Sequence, residues 1–513
     1  MKTSYDYADV VVVGAGPAGL AVAAELAFHG RRCAVIEPRT EISHTRPRAK
    51  TTSARTMEHF RRWGIAEDIR RAAALPSTWC RRAVFCDTVT GAVITEFDDI
   101  FGLSAAENGL SAESGQQIAQ PVVEQVLRRH VRESGFPDLR LGDAVEELVE
   151  HQDSVELVVR RFDGSTYRMR TRYVLGCDGA RSTVREQIGV VLAGSSAPVP
   201  NLNVVFRAPD LHPPMGDALH YWVLGTETPG IVGPLDRKDL WWASLSGAGE
   251  CDDPHQINRL VEQLIGPAGA DVAVDVLATD PWTPRMLIAD RFATDRIFLV
   301  GESAHVNPPL GGHGFNTSIG DAVNIGWKLA AVLDGWADPS LLATYETERR
   351  GIAAATIASA ARNLAATGPA LTSEADMIQA TKFEEFHSLG LVLGYTYDTN
   401  HPIDVTAYRP STQVGARLPH RWVRPGHSIF DDLGPSLSLL HPRDADAVLL
   451  AETTARFESC GVPLVMIVVD SDQVDTEAPF LLIRPDQHIA WRGNDPRDAD
   501  PAIITSSKKR AAA

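Results

Sequence analysis

The sequence predicts an α/β protein built on a Rossmann-type parallel sheet, and three observations predict it. Residues 8–37 read as strand, tight turn, helix and strand, a βαβ unit that implies a parallel sheet with helices on its faces. Tyr173–Gly179 reads as a strand running into a turn, and the buried-strand pattern returns at Ile297–Val300, so the first domain is interrupted and then resumed. Between them, residues 193–280 are rich in Pro and Gly and carry aromatic strand-like pieces, which suits an inserted antiparallel sheet.

The elements follow in order. Val10–Val13 is a β-branched run suited to a strand buried on both faces. Gly14-Ala15-Gly16-Pro17-Ala18-Gly19 follows at once. Gly14 permits the turn, Gly16 lets the backbone approach a pyrophosphate, and Gly19 allows close helix–sheet packing. The phosphates then meet the N-terminus of a helix over Leu20–Phe28, where unpaired N–H groups and the dipole favour negative charge; Gly30 ends that helix. Cys33–Ile36 is the second strand and ends at Glu37, 23 residues beyond Gly14. A carboxylate there accepts the hydroxyls of an adenosine ribose and repels a 2′-phosphate, which points to FAD or NAD. Pro38 and Arg39 complete this set of cofactor-binding candidates.

Gln116–Glu133 reads as a helix, 139–176 as short strands, and Leu219–Leu224 and Leu240–Ala243 as strands of the insert. A long helix is expected over roughly 317–334, then an Ala-rich helix to about residue 366. Residues 367–413 are a connecting region with no clear pattern. From residue 414 a separate unit begins, with strands at 464–469 and 478–483 and a turn and strand at 484–491; Ser506–Ala513 reads as a frayed tail. The resulting division is 1–192, 193–280, 281–366, 367–413 and 414–513.

Composition narrows the function. A chain of 513 residues exceeds one ordinary core. Its charge, 49 − 66 = −17, argues against nonspecific binding to nucleic acid or an anionic membrane. No apolar run suffices to span a bilayer and the N-terminus lacks a signal-peptide layout, so a soluble cytoplasmic protein is expected. The six cysteines are scattered without Cys-x-x-Cys, which suits reduced thiols and leaves no metal site expected.

Two further segments decide between FAD and NAD. One is Cys177-Asp178-Gly179-Ala180-Arg181-Ser182. The other is Gly301-Glu302-Ser303-Ala304-His305, continuing from Pro308-Pro309 to Gly311-Gly312-His313-Gly314-Phe315-Asn316-Thr317. With Arg46-Pro47-Arg48-Ala49 and Arg55-Thr56-Met57-Glu58 upstream, the set resembles the fingerprints of the class A FAD-dependent aromatic hydroxylases. It looks most like the phenol hydroxylase and 2,4-dichlorophenol 6-monooxygenase branch, well over residues 8–350 and more weakly beyond.

The resemblance implies a glutathione-reductase-like FAD domain and a C-terminal thioredoxin-like domain without the redox cysteine pair, which the lone Cys460 suits. It implies hydroxylation of a phenolic or related aromatic substrate through a flavin hydroperoxide, with NADPH or NADH as reductant and O₂ as co-substrate. A natural-product oxidase or epoxidase, and a non-catalytic nucleotide-binding protein, are the alternatives. A homodimer is also implied. Arg46, Arg48 and Gln120 would contact the FAD phosphates or ribityl chain, Asp178 and Gly179 would lie near the pyrophosphate, and Gly301 and Glu302 near the ribityl chain. Pro309, Gly312, Gly314, Phe315 and Asn316 would border the flavin ring, a helix beginning after Asn316 stabilising negative charge on reduced flavin.

The chain departs from that pattern twice. Glu302 stands where the family usually has Asp, one methylene shorter. Lys50 stands where phenol hydroxylase has the acid that handles the substrate hydroxyl proton. Lys50 is thus either a solvated surface lysine or a group that steers NAD(P)H or pairs with a phenolate. Strand alternation puts His220 and Trp222 on one face of the insert and Tyr221 on the other, and one face should roof the flavin. With Lys50, Pro309 and His313, the residues His220 and Tyr221 complete the catalytic candidates. Arg46, Arg48, Lys50 and Arg55 are the expected basic cluster for NAD(P)H.

Overall fold

The computed structural model describes residues 6–44, 50–197, 200–249, 251–267, 271–367, 374–398, 402–470 and 478–502. Its central sheet has Asp6–Val13 in the middle, with Ala34–Glu37 and then Asp138–Leu141 on one side, all parallel. On the other side lies Thr166–Gly176, which serves two further partners. Its first half pairs antiparallel with Val155–Arg160, part of a meander with Ala144–Glu150. Its last residues, Val174–Gly176, pair parallel with Ile297–Leu299. The strand expected where the first domain resumes is therefore a neighbour of the one before the insertion, in the same sheet. Val10, Val11 and Val12 are fully buried in a core shared with helices Pro17–Phe28 and His313–Leu333. Those helices cross closely because Gly326 faces Glu25, where a β-carbon would lie 2.6 Å from Glu25 Cγ.

The second sheet has seven strands, in the order 275–282, 201–207, 240–245, 230–234, 220–223, 83–86 and 93–97. Its last two strands, Ala83–Cys86 and Val93–Phe97, come from the stretch assigned above to the first FAD-binding segment. Ala83–Cys86 is a four-residue apolar run whose main chain pairs parallel with His220–Val223, a long-range partnership that local pattern does not reveal. Alternation divides the sheet cleanly. Val84, Cys86, Tyr221, Val223 and Val232 pack on helix Pro254–Ile265. Ala83, Phe85 and Trp222 face the other way, towards Leu310 and Phe386. Leu192–Ser196 and Arg285–Ala289, where the chain leaves and re-enters, pair as adjacent antiparallel strands.

The C-terminal unit has a four-stranded sheet in the order 464–469, 437–442, 480–483 and 489–493. The first pair is parallel, joined through helix Ala447–Ser459; the rest is antiparallel. Its turn Arg484–His488 is buried against the first domain. Arg484 pairs with Glu348 at 2.8 Å, Trp327 Nε1 donates to Asp486 Oδ2 at 3.2 Å, and Arg55 donates to the Asp486 carbonyl at 2.8 Å.

Other element boundaries move for local reasons. The helix expected from Gln116 spans Gln120–Ser134, with Pro121 in its first turn, and Gln116–Gln117 instead pair with Thr51–Thr52. The connecting region contains helices Ala375–Phe386 and Leu389–Leu393. The expected tail, Ser506–Ala513, lies outside the described residues.

Candidate active site

The nucleotide end is a cradle made by glycines. Gly14 adopts φ +101°, and a β-carbon there would lie 2.5 Å from the Cys177 carbonyl oxygen. A β-carbon on Gly19 would overlap the Gly14 carbonyl oxygen, whereas Gly16 has nothing within 4 Å. Gly16 caps the helix with no side chain over its N–H groups, so the first turn opens onto clear space beside Gly16. Glu37 accepts from Ala15 N at 2.7 Å and from Arg39 Nε at 2.7 Å. Burial opposes ionisation of Glu37, but the Arg39 hydrogen bond and the Ala15 N–H outweigh it and hold the carboxyl below its usual range. Asp178 packs against the same turn, and its Oδ2 accepts from Val184 N at 3.1 Å. Its Oδ1 is buried without a protein partner, and burial pushes its carboxyl above the ordinary value. These features fit a dinucleotide: a backbone cradle, a ribose-binding carboxylate and an unpaired polar atom at the junction. Gly179, at φ +79°, continues the turn with open space around it.

The second helix N-terminus is the candidate for the flavin end. Gly301 sits between the N-terminal parts of both helices, its absent β-carbon 2.8 Å from Ser318 Oγ and 3.2 Å from Ala18 Cβ. Glu302 is exposed beside it. The helix begins at His313, not after Asn316, because Gly312 adopts φ +68° and caps it. Gly312 N donates to the Pro309 carbonyl at 3.0 Å, which closes the preceding turn. Asn316 therefore lies within the first turn, and its side chain is occupied by protein. It accepts from Ser53 N at 2.9 Å and Thr56 Oγ1 at 2.7 Å, and donates to the carbonyls of Thr51 and Gly312 at 3.0 and 2.6 Å. This corrects its expected role: Asn316 braces the helix start, which offers its uncapped N–H groups around His313, Gly314 and Phe315. His313 is buried, which lowers its pKa to about 4, and its Nε2 has no protein partner.

The candidate substrate wall is the face of the second sheet opposite helix Pro254–Ile265. Lys50 reaches it from the residue before Thr51: its Nζ donates to the Leu219 carbonyl at 3.0 Å and lies 5.7 Å from the Trp242 ring. It is half-buried. Burial lowers its pKa to about 7. The His220 ring lies 5.6 Å from Trp242 and 5.5 Å from Phe101, and burial together with Lys50 holds it neutral. Trp222 stacks on Phe85 at 5.2 Å. The indole N–H groups of both Trp222 and Trp242 are buried and unpartnered.

Several expected site residues are placed elsewhere. Tyr221 lies on the opposite face, 1% exposed, with its hydroxyl donating to the Gly216 carbonyl at 2.7 Å and accepting from Ala218 N at 2.9 Å. Its role is to hold a loop, and the sheet's pleat is the reason. Arg55 is not available to NAD(P)H, since Glu58, Gln487 and the Asp486 carbonyl take its guanidinium. Gln120 donates to Glu124 at 2.7 Å near the Glu37 end. Arg46 and Arg48, with Pro47 and Ala49, lie outside the described residues.

The structure also adds residues. Gln117 donates to Thr51 Oγ1 at 3.0 Å while its buried Oε1 stays unpartnered, beside the threonine that touches Gly312. Behind the loop, Lys382 pairs with Glu385 at 2.8 Å, donates to the Asn363 carbonyl at 3.1 Å and lies 4.3 Å from the Trp222 ring. Burial raises the Glu385 pKa, against the pull of Lys382 and a hydrogen bond from the Gly311 backbone. The i, i+3 spacing of Lys382 and Glu385 was a visible signal; their burial was not.

This site is that of a flavoprotein, and comparison with known proteins places it. The family described as "FAD binding domain" matches residues 7–360, and "Aromatic-ring hydroxylase, C-terminal" matches 411–508. The chain is 32% identical to aklavinone 12-hydroxylase RdmE of Streptomyces purpurascens, covering 96% of each. It is 28% identical to 2,4-dichlorophenol 6-monooxygenase of Cupriavidus pinatubonensis, covering 98% of this chain and 96% of that one. The rebeccamycin biosynthetic enzyme RebC, solved with reduced flavin, superposes over all of both chains with a TM-score of 0.87 at 30% identity. The chain belongs to this FAD-binding aromatic-ring hydroxylase family; it is an FAD-dependent monooxygenase.

Proposed function

We propose that the enzyme hydroxylates a phenolic or related hydroxy-aromatic substrate, using NADH or NADPH and O₂. Bound FAD supplies the activation of oxygen. The observation that carries this reading is a shared wall: Lys50 touches the substrate sheet at Leu219, while the next residue, Thr51, touches Gly312 at the start of the flavin-facing helix. An aromatic between them is enclosed by Phe101, Trp242 and His220. These side chains keep water from the reacting centre and orient the ring. The uncapped helix start at His313 and the Gly14–Gly19 turn would hold the two ends of FAD, with Glu37 on its ribose. Substrate would enter by the cleft of about 550 Å³ bordered by Trp79, Cys80, Arg82 and Asp217, a size suited to a small ligand.

Two relatives are named for aklavinone hydroxylation and rebeccamycin biosynthesis, which favours a polycyclic natural product as the second reading. The C-terminal unit, with its parallel pair joined by a helix and two antiparallel strands, is read as thioredoxin-like. A homodimer in the cytoplasm completes the proposal, and light scattering of the purified chain tests the dimer. The activity is tested by screening phenols and hydroxylated polycycles for faster NAD(P)H-dependent flavin reduction, with mass spectrometry for one added oxygen. The expected result is stimulation and a hydroxylated product; a screen in which no aromatic does either contradicts the proposal.

A further inference from the structure

Two hydrogen-bonding groups converge on the substrate wall. The position a β-carbon on Gly233 would take is 2.9 Å from Trp242 Nε1 and 3.2 Å from Lys50 Nζ. Gly233 is what lets the indole and the amine come so close. The Trp242 N–H is buried and has no partner among the described residues, although an unpaired buried donor is costly. Lys50 keeps one N–H on the Leu219 carbonyl. Among the described residues, the titratable groups facing its amine are Cys80 from the 76–82 stretch and His220 from the sheet; no carboxylate acts on it. An amine there has no anion to hold until a ligand brings one.

We propose that Lys50 takes the hydroxyl proton of the aromatic substrate, while the Trp242 N–H and the new ammonium hold the resulting oxyanion. This deepens the proposed hydroxylation and rests on it. The substrate O–H bond breaks, its electron pair stays on oxygen, and the proton bonds to the lone pair of the neutral amine. No net proton is taken up, and the phenolate ring becomes more nucleophilic at its ortho and para carbons. The lowered pKa of Lys50, about 7, lets the neutral amine predominate above that pH. It gives the proposal its pH signature. Affinity for a phenol is level from about pH 7 up to the phenol's own ionisation, and falls about tenfold per pH unit below 7, where the amine is already protonated.

The test uses the FAD-loaded full chain with 2-naphthol as probe and 2-methoxynaphthalene as control, followed by naphtholate absorbance and by perturbation of the flavin spectrum. The expected result is naphtholate formation on binding, at a pH well below that of free naphthol, and binding at least tenfold tighter than the ether's. Lys50→Met should lose about 10- to 100-fold in naphthol affinity, leave ether binding unchanged, and abolish the naphtholate band. Lys50→Arg keeps a cation but no basic lone pair, so its affinity should rise only as free naphthol ionises. Naphthol bound in its neutral form, equal binding of the ether, or a Lys50→Arg pH profile like that of the wild type overturns the assignment and leaves the hydroxylase reading standing. If neither naphthalene binds at any pH, both the assignment and the phenolic reading fall.

Discussion

The two ends of the cofactor site are built in opposite ways. The nucleotide end is largely local: Gly14 to Glu37 come from one βαβ unit, and close backbone contacts at Gly14 and Gly19 set its turn. The substrate end is assembled from far apart, with Lys50, Phe101, His220, Trp242 and Gly311 on separate segments, and Lys382 behind them. Backbone geometry tolerates almost no side-chain change, whereas a wall of side chains can be retuned one residue at a time. Binding of FAD and choice of substrate should therefore be separable in this chain.

The largest expected effect breaks the nucleotide end alone. Gly19→Ala drives a β-carbon into the Gly14 carbonyl, with no flexible side chain to yield, and should cost about 3 kcal/mol or more. The purified variant should lack flavin absorbance, and a yellow protein of normal stability would show that the turn can shift. Next in size is the layer that joins the two ends. Lys382→Met leaves Glu385 buried without its cation and should cost about 3–5 kcal/mol in denaturant unfolding. The double variant Lys382→Met/Glu385→Gln should recover part of that loss.

A smaller effect isolates the substrate end. A β-carbon on Gly233 would crowd the Leu219 carbonyl at 2.5 Å, together with Trp242 Nε1 and Lys50 Nζ. Gly233→Ala should keep full FAD content and weaken substrate binding about tenfold, read as a raised Kd in flavin-perturbation titrations. Loss of FAD in this variant would mean that the two ends are not separable. The smallest effect lies behind the wall. Tyr221→Phe removes a hydroxyl that serves only the 216–218 loop, so it should cost about 1 kcal/mol of stability and leave kcat unchanged.

What could be read from sequence follows the same division. The Gly14–Gly19 turn, Glu37 and the interrupted sheet were legible because their signals are contiguous or periodic. Alternation separated His220 and Trp222 from Tyr221, but only the packing of helix Pro254–Ile265 on the Tyr221 face decides which side meets the flavin. The start of the helix expected to face the flavin was misplaced by four residues, since Gly312 could equally continue a loop or cap a helix and Asn316 resembles a cap. Trp242 and Gly233 carried no local mark, because their roles arise from register and from contacts across more than one chain segment, and Glu385 showed only its i, i+3 spacing from Lys382. Arg55 looked like a free cation, and the Arg484–His488 turn that claims it lies over 400 residues away.

The central claim is that an aromatic held between the Lys50–Trp242 wall and bound FAD receives one oxygen atom. The most direct measurement is turnover of the FAD-loaded chain with NADH or NADPH under ¹⁸O₂, supplying a phenol from the screen and analysing the product by mass spectrometry. The account predicts faster NAD(P)H consumption in the presence of the phenol and a product carrying a single ¹⁸O. Consumption that ignores the phenol, with all oxygen recovered as hydrogen peroxide and no labelled product, would contradict it.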